Sequence, residues 1–131
     1  MLGISSSNNE TAMPKLILSV GRDLQLLKKR TTALNNAGFT VVAATDPRQA
    51  IEDMFNGDFD LVLLCHSLTN EERQRFAGIV RNYSPSTPVV IISDLEGRKY
   101  PYGTRTVRCY SEQILAAVRD MLPAAGPIRA V

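Results

Sequence analysis

Four short apolar runs recur along the chain: KLILSV at 15–20, FTVVAAT at 39–45, DLVLLC at 60–65 and VVIIS at 89–93. Each has the length of a strand, and the third and fourth carry almost no polar side chain. A strand that is apolar on both sides must be covered on both sides, as a central strand of a parallel sheet is. The stretches between the runs are long enough for helices and carry apolar stripes. The first has Leu24, Leu27, Thr31 and Leu34, the second Ala50, Ile51, Met54 and Phe55, and the third Phe76, Ile79, Val80 and Tyr83. A fourth stripe, Ile114, Leu115, Val118 and Met121, follows near the end. Strand alternating with helix selects an α/β architecture, a parallel sheet with helices on both faces.

The punctuation agrees with these periods. Gly21 breaks the first run, and Gly38 follows the first helix, which is expected to reach Ala37. Asp46-Pro47 opens a second helix that ends at Gly57, with Asp as cap and Pro at the first helical position. Thr69 and Glu72 have the spacing of a capping box. Pro85 and Pro88 mark a loop, TRTVRC at 104–109 is a half-polar strand suited to a sheet edge, and Ser111 is the expected cap of the last helix. The basic cluster Lys28, Lys29 and Arg30 reads as the solvated side of the first helix.

The 131 residues make one domain, expected at 15–122 between a polar tail at 1–14 and a loose tail at 123–131. Hydrophobic residues are 44% and charged residues 21%, a balance that excludes wholesale disorder. The longest apolar run has five residues, Leu61 to Cys65, and the start has no basic and apolar segments of a signal peptide, so no membrane association is expected. A net charge of +2 without a concentrated basic face argues against nucleic acid. Cys65 and Cys109 form no C-x-x-C and no zinc spacing, so they are expected as reduced thiols in a cytoplasmic protein, with no metal and no cofactor.

In parallel α/β sheets the site lies at the carboxyl ends of the strands. The residues there are Gly21, Arg22 and Asp23, then Cys65 and His66, then Ser93 and Asp94, then Arg108 and Cys109. The stretches KLILSV, Ala37-Gly38-Phe39, FDLVLL at 59–64, TPVVIIS at 87–93 and LAAVR at 115–119, taken in order, resemble the CheY-like receiver domain of two-component response regulators. The resemblance covers nearly all of 15–122. It implies a flavodoxin-like, doubly wound sheet of five parallel strands in the order 2-1-3-4-5, and a role in signalling through a protein partner. With so few residues after the last helix, a stand-alone module without an output domain is expected.

The resemblance also implies a site: two acids after the first strand and an aspartate ending the third, which together hold Mg²⁺ and accept a phosphoryl group. Here Gly21 and Arg22 stand in the acidic positions and Cys65 in the phosphoacceptor position, while Asp23 reads as part of a helix start. The hydroxyl of the fourth strand is kept as Ser93, and Arg108 stands where the family has a lysine. A glycine, a cation and a thiol are poor ligands for a hard cation. The expected protein is therefore a pseudo-receiver: not phosphorylated, and not an enzyme. A second departure is the step from Ser93 to Arg108, which contains Gly97, Pro101 and Gly103 and leaves the family's fourth helix shortened or absent. Tyr100, Tyr102 and Arg105 are then candidates for a partner surface, basic enough to suit an acidic protein; alternatively the tyrosines pack over the shortened edge.

Two other chemistries are open to these residues. Cys65 beside His66 suggests a thiol-based redox sensor or small enzyme, although neighbours on a strand point to opposite sides unless the chain has turned. Convergence of Arg22, Ser93 and Arg108 would form an anion or ligand site; the competing arrangement pairs Arg22 with Asp23 or Asp94.

Overall fold

The computed structural model describes residues 14–122. The tails expected at 1–14 and 123–131 lie outside the described residues, Pro14 apart. The elements in chain order are β1 (Leu16–Val20), α1 (Leu24–Asn36), β2 (Thr40–Ala44), α2 (Pro47–Asn56), β3 (Leu61–Leu64), α3 (Asn70–Tyr83), β4 (Val89–Ser93), β5 (Arg105–Arg108) and α4 (Ser111–Met121). All neighbouring strands are parallel, in the order β2-β1-β3-β4-β5. The five-stranded sheet and its order are as the resemblance implies, and the edge position of β5 is as its half-polar sequence implies.

Helix starts follow the expected chemistry at three of four positions. Asp23 Oδ1 accepts from the Gln25 and Leu26 amides at 3.1 and 3.2 Å, and Asp46 Oδ1 accepts from the Arg48 amide at 3.0 Å. At α3 the Glu72 amide donates to Thr69 Oγ1 at 3.1 Å while the Thr69 amide donates to Glu72 Oε1 at 2.9 Å, a complete capping box. Ser111 does not cap α4. Tyr110 holds the extended cap conformation, with no side-chain cap bond, and Ser111 is already the first helical residue.

The alternation of side chains along the strands divides the core in two. On one face α1 and α4 bring Leu34, Ile114 and Val118 against Ile17, Leu61, Leu63, Val90 and Ile92. On the other, α2 and α3 bring Ala50, Met54, Phe76, Ala77 and Val80 against Leu18, Val20, Val62, Leu64, Val89 and Ile91. No helix lies between β4 and β5. The connection instead sends Tyr100 into the second core cluster, where it is buried, with Tyr102 packed against that cluster. Gly103 lets the returning chain lie on β4: a Cβ there would be 2.4 Å from Ile91 Cγ1.

The helical stripes need four corrections. Leu24, Phe55 and Tyr83, all assigned to the interior by period, are about half exposed. Arg30, assigned to the solvated side with Lys28 and Lys29, is buried. It lies three residues after Leu27 and four before Leu34, both buried, so the same helical spacing that defines the stripe includes it.

Candidate functional site at the strand carboxyl ends

The β1–α1 turn and the segment after β3 are in direct contact. The Gly21 amide donates to Ala44 O at 3.0 Å, and the Cys65 amide donates to Val20 O at 2.9 Å. A Cβ on Gly21 would lie 2.7 Å from Cys65 Cβ, 3.2 Å from its sulfur and 3.1 Å from Ser67 Oγ, so only glycine fits here without a shift of backbone or neighbour. The Arg22 amide donates to Ser67 Oγ at 2.9 Å, closing the two segments together.

Above this contact the Arg22 guanidinium pairs with Glu72, through Nη2 to Oε2 and through Nε to Oε1 at 3.3 Å. Neither Asp23, which caps α1, nor Asp94 is its partner. The pair, together with the Thr69 amide, holds the Glu72 carboxyl down at about 2, well below the usual carboxylate range.

Cys65 lies one residue beyond β3 and is 1% exposed. Its sulfur accepts from Arg30 Nη1 at 2.7 Å. The chain has turned by this point, and the sulfur is 3.8 Å from His66 Nδ1. Burial, and next the positive charge of Arg30, push the His66 imidazole below its ordinary value and favour the neutral ring. A second buried guanidinium, Arg73, stands on the other side of the sheet. It donates from Nη1 to Ile92 O at 3.3 Å, its Cζ is 4.8 Å from the Tyr100 ring centre, and its Nε has no partner. Neither Arg30 nor Arg73 has a carboxylate within 4 Å among the described residues. Sequence reasoning missed both. The available signal was their position on the buried stripe of an amphipathic helix: Arg73 precedes Phe76, Ala77 and Val80 by three, four and seven residues.

The other sequence-predicted residues are not brought together. Ser93 Oγ accepts from the Leu95 amide at 3.0 Å and donates to Leu95 O at 3.2 Å, closing a turn on its own loop. Arg108 reaches Glu96 at 3.8 Å and lies over the Tyr110 ring at 5.2 Å. Arg105 pairs with Asp120 at 2.8 Å. Arg22, Ser93 and Arg108 thus have separate partners, and the convergent anion site is not formed. Tyr100 is not an exposed anchor but a core residue, and the Tyr102 hydroxyl donates to Asn70 Oδ1 at 2.7 Å.

Mg²⁺ binding requires several oxygen ligands converging on one point. The positions that the sequence resemblance assigns to such ligands hold Gly21, Arg22 and Cys65, and the one nearby carboxylate after β1, Asp23, is engaged as a cap. Among the described residues there is no group of three or more His, Cys, Asp or Glu able to hold a metal ion. The residues present do not fit the cation. No helix among them is long and apolar enough to cross a membrane.

No protein family matches the chain by sequence profile, and no curated protein matches it by sequence. Solved structures do match its fold. The chemotaxis response regulator CheY4 of Vibrio cholerae superposes with a TM-score of 0.76 at 19% identity, over 84% of this chain and 100% of that one. A CheY-like response regulator receiver domain protein of Methanospirillum hungatei gives 0.72 at 15% identity, over 82% and 93%. A chain from the crystal structure of the histidine kinase ThkA in complex with the response regulator TrrA, the latter of Thermotoga maritima, gives 0.73 at 18% identity, over 82% of this chain and 98% of that one. At these identities the likeness establishes architecture, and the chain has the fold of the CheY-like receiver domains.

Proposed function

We propose that this chain is a receiver-fold signalling module that acts by protein contact in one constitutive conformation, without phosphorylation at the end of β3. The observation that carries this reading is the Arg30–Cys65 contact: the phosphoacceptor position is buried and occupied by a thiol bonded to a guanidinium, with the Gly21 backbone packed directly on it. A receiver switches because its carboxylates bind metal and phosphate; this arrangement offers neither the ligands nor the space. A protein partner is supported by the use of the same fold in a kinase–regulator complex.

The partner surface in this reading is the β4–β5 connection with β5. Leu95 is half exposed there, and Arg98, Lys99 and Arg105 are exposed, so an acidic protein surface is the match. Tyr100 and Tyr102 fix the shape of this surface from beneath. The test of the silent site is incubation with acetyl phosphate and Mg²⁺ followed by intact-mass analysis. The expected spectrum is that of the unmodified chain; a phosphoryl adduct on any described residue of the site would overturn the reading.

A further inference from the structure

The two edges of the sheet are built differently. β5 carries a charge at each end, Arg105 and Arg108. Charged side chains are a common device that keeps an edge strand from pairing with another chain. β2, the opposite edge, has no such device. The stretch 39–45 holds no charged residue, no proline and no glycine. Its register on β1 runs without a bulge from Leu16↔Thr40 to Val20↔Ala44. Thr40 and Ala43 are exposed, and Val41 and Val42 are half-buried, so the side chains along this edge stay open to solvent.

The ladder shows which backbone groups are left over. The Thr40 amide donates to Lys15 O at 2.9 Å, and Ala44 O accepts from the Gly21 amide at 3.0 Å. Backbone groups alternate sides along a strand, so Thr40, Val42 and Ala44 turn theirs to β1, and Val41 and Ala43 turn theirs outward. With no strand beyond β2, these two amides and two carbonyls have no ladder partner. They are self-complementary. Two β2 strands set antiparallel about a two-fold axis through Val42 place Val41 of each copy opposite Ala43 of the other. Each such pair exchanges two N–H···O bonds, so both amides and both carbonyls of each copy are used. Val42 then faces its own counterpart, Thr40 faces Ala44, and no charged side chain lies within the paired strands. The same operation on β5 would set Arg105 against Arg108, an unfavourable like-charge pair.

We infer that the β2 edge pairs with the β2 edge of a second copy of this chain, antiparallel and centred on Val42, so that one sheet runs through both copies of a dimer. The interface is isologous, the same patch on both sides, and it closes: once two β2 edges are joined, no further copy can add there. Both β5 edges remain outermost.

The test combines sedimentation equilibrium of the full chain with cysteine variants that read the register. The parent is expected to move from the mass of one chain toward that of two across the micromolar range. Ala43→Pro deletes an outward amide that β1 does not use, a placement that edge strands tolerate. It should keep the far-UV circular dichroism of the parent and weaken dimerisation about tenfold or more. Ala43→Lys, a charge at an exposed position, should do the same without proline. Val42→Cys should form an intermolecular disulfide under mild oxidation, since facing residues of a non-hydrogen-bonded pair have Cα atoms about 4.5 Å apart. Thr40→Cys should not, because it faces Ala44 in this register. Both cysteine variants carry Cys109→Ser, which leaves only the buried Cys65 beside the new thiol. A parent that stays monomeric, a dimer that a folded Ala43→Lys variant leaves intact, or cross-linking through Thr40→Cys rather than Val42→Cys would each overturn the inference.

Discussion

Arg30 and Cys65 join the middle of α1 to the end of β3 by a 2.7 Å contact from Nη1 to sulfur, and both side chains are buried. Removing one partner of such a pair leaves a guanidinium out of water without an acceptor, whereas removing both leaves only a packing defect. Cys65→Ala is therefore expected to cost about 3 kcal/mol. Adding Arg30→Met should recover part of it, so that the double variant is more stable than the sum of the single losses by about 1 kcal/mol or more. Urea unfolding of the four proteins measures the coupling, and strict additivity would count against a paired contact.

Gly21 predicts an overpacking cost. Its missing Cβ is the space occupied by the Cys65 side chain, so Gly21→Ala should destabilise by about 1–3 kcal/mol. Cys65→Asp, by contrast, leaves an acceptor for Arg30, and its unfolding temperature should not move on adding Mg²⁺, since Gly21 and Arg22 remain. A metal-dependent rise in that variant would show that the strand-one acids are dispensable.

The Arg22–Glu72 pair gives an acid-side pH dependence. The folded carboxyl is held at about 2 against an ordinary 4.5, so its contribution is complete above 4.5 and is lost as the pH falls toward 2. The pair is solvent-facing, which keeps that contribution modest. Denaturation midpoints between pH 5 and 2 should fall less steeply in Glu72→Gln than in the parent. An identical slope would show that the pair does not persist in solution.

Tyr100 and Tyr102 should separate by mechanism. Tyr100→Ala empties a core position and is expected to cost about 3 kcal/mol, in the range of aromatic truncations. Tyr102→Phe removes one partly exposed hydrogen bond to Asn70, at about 1 kcal/mol or less. Thermal unfolding of both variants checks the order.

Most of the fold was legible because periods and caps act locally. The apolar runs at 60–65 and 89–93 fall on the central strands, and Asp23, Asp46 and Thr69 cap the helices they precede. What was not legible depends on which partner the fold supplies. Arg22 pairs with Glu72, fifty residues away, rather than with a neighbour. Arg30 was assigned by its charge and its basic neighbours, while its place on the Leu27–Leu34 stripe and the sulfur waiting at Cys65 decided its burial. Phe55 and Tyr83 were placed in the core by period, but the last core residues of their helices are Met54 and Val80, one and three residues earlier. Ser111 lost the cap because Tyr110, not Ser111, takes the extended conformation.

The substitution of a helix by the Tyr100 loop also sets how the sheet comes apart. β5 is four residues long and pairs with one neighbour, β4, and the cover over that end of the second core face hangs on a ring carried by a segment without its own helical hydrogen bonds. Loop and edge strand then form a single opening unit, released before the ladder of β1, β3 and β4 gives way. Amide protons of β5 should exchange with solvent together with the Gly103 and Thr104 amides, which bond to Tyr100 O and Val89 O, and at a lower free energy than those of β3.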